Sequence, residues 1–409
     1  MTTVSPDSFV ARYATEGFGI AHLPYGSFST PDAAARLGVR VGDHVVALAD
    51  LVAQDSDLHP LVAQPNLDTL LTADRPTWDR LRAELQSVLS SDADADRIAA
   101  EAHPLAEVAL HMPFTVADYV DFYGNEFHAA NLGRLFRPQN PDPLMPNWKH
   151  LPVGYHGRAG TIVASGTDIR RPHGLRPEAD GIPSYGPSRR LDIEAEMGFV
   201  LGSPVPGGRV SLSEADDHVF GLTLTNDWSA RDIQNYEYVP LGPNLGKSFA
   251  TTISPWVTPL AALEAVRVAP PTRTTALASY LDDAAERPWS FDVTFEVVLN
   301  GETVSKPPFA STYWTAAQML AHMTVNGAGL RAGDFFAGGT ISGPEKDQRG
   351  SFIELTWGGA EPLTLSDGSS ITFLRDGDEV TLRATAVAAD GSAIHFGDCT
   401  GRIVEFPEN

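Results

Sequence analysis

The sequence predicts a mainly β fold with some α, of mixed or antiparallel type in its larger, C-terminal part. Three observations carry this. Beyond about residue 115, short apolar runs recur between Gly and Pro punctuation. Helical periodicities interrupt those runs only occasionally, so the strands lack the regular helix spacing that a doubly wound sheet needs. The run over 291–299 closes on Asn300-Gly301, and both central residues of a tight type I′ hairpin need positive φ, which this dipeptide tolerates. A chain of 409 residues, 43% hydrophobic, can bury a large core and points to more than one domain.

From the N-terminus, Ile20-Ala21-His22-Leu23, Arg40-Val41 and His44-Val45-Val46-Ala47-Leu48 read as short strands. Turn signals at Pro24-Tyr25-Gly26 and Gly42-Asp43 part them, which makes a small β unit. Trp78, Leu81, Leu85, Val88 and Leu89 then recur at helical spacing, with Asp74 as cap and Pro76 in the first turn. An Ala- and Asp-rich segment over 91–96 leads into a helical stretch reaching about Leu110. A boundary near residue 115 divides the chain into 1–115 and 116–409. In the second part strands are expected over 160–164, 191–200, 221–225 and 291–299. One helix is expected over 315–325, with Met319, Leu320 and Met323 inward and Asn326-Gly327 as its stop.

Formal net charge is −23, which argues against a nucleic-acid groove or an anionic membrane surface as partner. The single cysteine, Cys399, rules out an internal disulfide framework and a multi-cysteine zinc site. No run of 18 apolar residues occurs, and the start lacks a basic region followed by an apolar stretch, so an intact cytoplasmic protein is expected.

The chemistry centres on Leu191-Asp192-Ile193-Glu194-Ala195-Glu196-Met197-Gly198-Phe199-Val200. As a strand it would put Asp192, Glu194 and Glu196 on one face and Ile193, Ala195, Met197 and Phe199 on the other. Clustered like charges raise one another's pKa or gather around a cation, although a solvated acidic face has the same pattern. Asp227, Arg231, Gln234 and Tyr238 fall at i, i+4, i+7 and i+11, one stripe if that segment is helical. A carboxylate followed by a guanidinium and an amide on one face could hold an oxyanion; an exposed Asp–Arg pair reads the same way. Asp121 stands seven residues ahead of His128, the side chain best suited to take a proton near neutral pH. Glu354, in a strand-like alternation, is a candidate to orient it. Gly242-Pro243-Asn244-Leu245-Gly246-Lys247-Ser248 is one residue short of a P-loop, and Gly246-Lys247-Ser248-Phe249-Ala250 lacks the last glycine of a serine-hydrolase elbow.

Leu151-Pro152-Val153-Gly154-Tyr155-His156-Gly157-Arg158, the Glu194-Ala195-Glu196 run, Asn226 to Gln234, Tyr238-Val239-Pro240-Leu241-Gly242-Pro243 and Gly246-Lys247-Ser248-Phe249 together resemble the fumarylacetoacetase family. Thr252-Ile253-Ser254-Pro255-Trp256, Gly339-Thr340-Ile341-Ser342-Gly343-Pro344 and, near the N-terminus, Leu23-Pro24-Tyr25-Gly26 extend the resemblance over nearly the whole chain. It implies an N-terminal SH3-like β barrel, a C-terminal mixed β-roll domain, and a homodimer. It further implies hydrolysis of the carbon–carbon bond of a small dianionic diketone acid, 4-fumarylacetoacetate, with Ca²⁺ and Mg²⁺ as cofactors. Asp121, Glu194, Glu196 and Asp227 match the family's calcium ligands; Asp227, Lys247 and Thr251 match its magnesium-associated site. His128 falls on the general base, Glu354 on its orienting carboxylate, and Arg231, Gln234 and Lys247 on the oxyanion donors. Tyr123, Arg137, Gln234, Tyr238 and Thr340 match substrate contacts. The acidic, Ala-rich segment around 91–102 departs from the family pattern. The alternatives are a sister activity, acylpyruvate hydrolysis or 2-keto acid decarboxylation, and a non-catalytic metal-binding scaffold.

Overall fold

A computed structural model describes residues 4–388 and 391–406. The outermost residues of the two expected domains, 1–3 and 407–409, lie outside it.

Strand Ala195–Leu201 is buried along its whole length because it is sandwiched edge to edge. It pairs antiparallel with Val219–Asp227 on one side and with Asp334–Ala337 on the other. Asp334–Ala337 in turn runs parallel to Asp118–Phe122, with Ala337 opposite Asp121. A strand in that position reads as a continuous apolar run, so the carboxylate of Glu196 within it is the exception to be explained. These strands belong to a 13-stranded sheet that the N-terminal strands extend, since Tyr25–Thr30 pairs with Trp256–Pro259. One core cluster is accordingly shared: Leu23, Val39, Trp78 and Leu85 pack in it with Val200, Phe220, Val257 and Phe335.

A second sheet, of six strands, holds the expected hairpin. Val293–Leu299 turns at Asn300 (φ 49°) and Gly301 (φ 86°) into Glu302–Ser305. Both turn residues have the positive φ that a type I′ turn needs. Helix Arg75–Leu89 starts where Asp74 accepts from the Thr77 backbone N–H and buries Trp78, Leu81, Leu85 and Leu89. Helix Ala316–Thr324 is capped by Thr315 in a reciprocal box with Gln318. Among the described residues no helix is long and apolar enough to cross a membrane.

Several expectations are corrected. The turn expected at Pro24-Tyr25-Gly26 falls earlier, where the His22 N–H meets the Gly19 carbonyl just before Leu23 (φ 52°), and Tyr25 already opens a strand. His22 is not on a strand; its ring is buried between the Gly17 carbonyl and the Thr258 hydroxyl. The helix expected to reach Leu110 ends at Glu101, because His103–Pro104 is drawn into pairing with His44 and Val45. The strand expected over 191–200 is broken between Asp192 and Ala195, its first part pairing instead with Ser229–Ala230. Glu354 lies on a helical turn, Phe352–Leu355, and not on a strand. The N-terminal strands run in the order His103–Pro104, His44–Ala47, Ala33–Val41, Tyr25–Thr30, with Ala109–His111 also on Tyr25–Thr30. Among the described residues no pairing between Ala109–His111 and His103–Pro104 closes this arc.

Candidate active site and metal centre

The sheet brings four carboxylates from three strands and a strand break to one buried place. Asp121 comes from Asp118–Phe122, Glu196 from Ala195–Leu201 and Asp227 from the last position of Val219–Asp227. Glu194 projects from the break, its carbonyl taking the Asp227 N–H at 3.1 Å. All four are buried, and a carboxylate oxygen from each lies within 4.8 Å of the others. Burial first, and the neighbouring acids next, push Asp121 and Glu196 well above the usual carboxylate range; burial raises Asp227 as well. Glu194 differs. Burial opposes its ionisation, yet Lys247 and Arg231 together hold its carboxyl below the usual range.

Lys247 Nζ bridges Glu194 at 2.6 Å and Asp227 at 2.5 Å, and Thr251 Oγ1 donates to Asp227 at 3.1 Å. An ammonium has only donors, so Lys247 fixes these acids and offers no lone pair to an ion. Asp121, Asp192, Glu194, Glu196, Asp227 and Glu354 are all buried here against two fixed cations, Lys247 and Arg231. Asp121 Oδ1 and Glu196 Oε1 have no hydrogen-bond partner. Unpaired buried acceptors and excess negative charge are what a bound cation relieves, and an all-oxygen donor set suits a hard one. The residues present therefore fit a divalent ion.

His128 lies on helix Glu126–Phe136, whose first turn is capped by Asn125 onto the His128 backbone N–H. Its Nδ1 is 2.7 Å from Glu354 Oε2 and its Nε2 is 3.7 Å from Glu194 Oε1. Glu354 is itself held by Asn131 at 2.9 Å, Ser342 at 2.9 Å and Ser351 at 2.7 Å. Burial works against its charge, but His128 and these donors keep its carboxyl below the usual range. An ionised, acceptor-only Glu354 requires Nδ1 to carry the ring proton, which leaves Nε2 facing the cluster.

Arg231, first residue of helix Arg231–Glu237, donates through Nη1 to Glu194 at 2.6 Å and to Gln234 Oε1 at 3.0 Å, while its buried Nη2 has no partner. Asp227 closes strand Val219–Asp227, with Ser229–Ala230 between it and the helix, so the expected four-residue stripe begins at Arg231 and not at Asp227. The Tyr123 ring stands edge-on to His128, centroids 5.4 Å apart. Burial raises the Tyr123 phenol far above its ordinary range and Arg137 opposes that rise, so the phenol stays neutral as a donor. Arg137 ends the His128 helix and reaches the Pro143 carbonyl at 3.3 Å, with Nε unpartnered. Tyr238 ends the Arg231 helix, 6.0 Å from the Phe136 ring. Thr340 is buried with its hydroxyl unpartnered, next to Gly339, whose N–H donates to Glu196 at 2.9 Å. Beside Lys247 and Asp227 a cavity of about 490 Å³ opens between Tyr155, Arg158 and Leu245. Sequence reasoning missed Asn131, Ser342 and Ser351, polar residues whose only signal was their place beside His128 and Glu354 or within the 339–344 run. It also left Asp192 without a role.

Residues 119–404 match the family described as Fumarylacetoacetate (FAA) hydrolase C-terminal, and residues 21–113 the family Fumarylacetoacetase N-terminal. The chain is similar to the fumarylacetoacetase of Homo sapiens, 42% identical over 97% of this chain and 98% of that one. It is 43% identical to that of Arabidopsis thaliana, over 98% and 99% respectively. Among solved structures it resembles a fumarylacetoacetate hydrolase from Exiguobacterium antarcticum (TM-score 0.52, 18% identity, covering 94% of this chain and all of the other). A maleylpyruvate hydrolase from a Sphingobium species is similar at TM-score 0.53 and 15% identity, covering 94% of this chain and all of that one. At those identities the structural likeness speaks for the fold. The two matched families tile the chain and the full-length relatives agree with them, so this chain belongs to the fumarylacetoacetase family.

Proposed function

We propose that this chain hydrolyses the carbon–carbon bond of 4-fumarylacetoacetate to fumarate and acetoacetate, the last step of tyrosine and phenylalanine breakdown. The observation that carries the reading is the base, donor and acid set in one buried place: His128 on Glu354 at 2.7 Å, and Arg231 and Lys247 each 2.6 Å from Glu194. Full-length relatives named fumarylacetoacetase support the choice of substrate.

His128 takes a proton at Nε2 from a water beside the ketone carbon, while Glu354 stabilises the imidazolium that forms. The water oxygen bonds to that carbon, and the oxyanion meets donors already in position. These are the free Nη2 of Arg231, the Lys247 ammonium, and the amide N–H₂ of Gln234, whose oxygen is occupied by Arg231. The carbon–carbon bond then breaks, the electron pair leaves on the acetoacetate carbon, and protonated His128 returns its proton there. Asp121, Glu194, Glu196 and Asp227 would hold a divalent ion, Ca²⁺ or Mg²⁺, with Thr251 and Lys247 beside Asp227, supplying Lewis-acid stabilisation of charge on the diketone oxygens. The substrate is a dianion in a chain of net charge −23, so Arg137, Tyr123, Tyr238 and the free Thr340 hydroxyl are assigned to its carboxylates.

The same reading takes the N-terminal arc as an SH3-like unit ending near residue 115, and the protein as a cytoplasmic homodimer. Quantifying products tests the function: fumarate and acetoacetate in equal amounts, one of each per substrate consumed, are expected. Conversion to a decarboxylated product would contradict it.

A further inference from the structure

We propose that Asp192 is a positioning residue that sets the oxyanion donor Arg231 and the base pair His128–Glu354 in register with each other. The proposal rests on the hydrolytic reading above. Asp192 is the acid of the 192–196 run that the carboxylate cluster does not use, and it is fully buried. Its Oδ2 accepts from Arg231 Nε at 2.8 Å and from the Ile353 N–H at 2.9 Å. Its Oδ1 accepts from the Phe352 N–H at 2.7 Å and from its own neighbour, the Ile193 N–H, at 2.7 Å. One carboxylate thus spans two elements that are distant in sequence. On one side is the guanidinium whose Nη2 is left free; on the other is the backbone immediately before Glu354.

The break in the strand is where the two acids meet one guanidinium. With the strand interrupted at Ile193 and Glu194, Asp192 takes Nε and Glu194 takes Nη1 of the same Arg231. The guanidinium plane is then fixed at both ends, and the direction of Nη2 follows. Asp192 itself is assigned to neither substrate nor water and acts only through Arg231 and the backbone before Glu354. An asparagine of the same shape would still accept, but its N–H₂ would face either Arg231 Nε–H and the Ile353 N–H or the Phe352 and Ile193 N–H groups, donor against donor.

The test is steady-state kinetics on fumarylacetoacetate for the metal-loaded full chain, its Asp192→Asn variant, Arg231→Gln, and the double variant, with metal content measured on each. Asp192→Asn is expected to lower kcat on the order of 10², the scale of one misaimed oxyanion donor. KM should stay within about threefold and metal per chain should be unchanged. On the Arg231→Gln background the same substitution should remove far less than it removes from the unsubstituted chain, since the two act as a unit. A kcat within about threefold of the unsubstituted chain, or losses that simply multiply, would overturn the role. Should Asp192→Asn not fold, Asp192→Glu keeps the charge and displaces the guanidinium by one methylene; unchanged kcat in that variant overturns the proposal equally. Inactivity of the unsubstituted chain overturns the hydrolytic reading together with this one, whereas an active chain with an indifferent Asp192 overturns this one alone.

Discussion

Glu354 Oε2 sits 2.7 Å from His128 Nδ1, and neither residue is more than 2% exposed. They are separated by 226 residues in sequence, so only the fold makes them a pair. Ser342 and Ser351 donate to the same Glu354 oxygen and Asn131 to the other, which leaves the carboxylate little freedom to turn away. His128 is thereby presented with one nitrogen committed and one available.

Replacing His128 by alanine should lower kcat by 10² to 10⁴, the usual range for a positioned general base, and leave metal content unchanged. Turnover within about tenfold of the unsubstituted chain would place the base elsewhere.

Asp227 touches Lys247 and Thr251 and lies in the carboxylate cluster, so Asp227→Ala should empty the site of its ion. Metal analysis of the purified variant checks this. Retention at the stoichiometry of the unsubstituted chain would remove Asp227 from the ligand set.

Ion binding should release protons and tighten as pH rises. Burial and mutual repulsion hold Asp121, Glu196 and Asp227 above the ordinary carboxylate range, and a ligand must be ionised. Protons bound to the ion-free site are therefore displaced on loading. Calorimetry in buffers of different ionisation enthalpy reads that release; an affinity independent of pH across the titration would contradict it.

His22 provides a separate acid-lability test. Burial pushes its imidazole down to about 3, and it is held neutral between the Gly17 carbonyl and the Thr258 hydroxyl. In the unfolded chain the ring protonates near its ordinary 6.5. The unfolded state therefore binds more protons below that value. The contribution of His22 is fully present above 6.5 and is lost as pH falls toward 3, amounting to on the order of 5 kcal/mol at about 1.4 kcal/mol per pH unit. Denaturant midpoints measured from pH 7 to pH 4 should fall less steeply in a His22→Asn variant. An identical slope would contradict the burial of a neutral ring.

Much of the site was legible because its residues stand in runs whose order is specific: the Glu194 and Glu196 pair, the segment from Asn226 to Gln234, and Lys247 beside Ser248. The hairpin at Asn300-Gly301 was legible because φ requirements are local. Asp192 was not. Its partners, Arg231 and the backbone of Phe352 and Ile353, lie 39 and about 160 residues away, and no local periodicity encodes them. Glu354 was found as a residue but misplaced on a strand, since four residues of alternating polarity fit one helical turn as well as an extended run. The merging of the N-terminal strands into the larger sheet was likewise hidden, because the Tyr25 to Val257 register is a tertiary choice.

The measurement that bears most directly on the central claim is the loss of diketone absorbance when the purified protein meets fumarylacetoacetate. It would be run beside a series of acylpyruvates, with and without chelation, and with Ca²⁺ or Mg²⁺ restored. Rapid loss with fumarylacetoacetate, abolished by chelation and recovered with metal, is the result expected. Turnover of an acylpyruvate but not of fumarylacetoacetate, or silence on every substrate with metal bound, would contradict it.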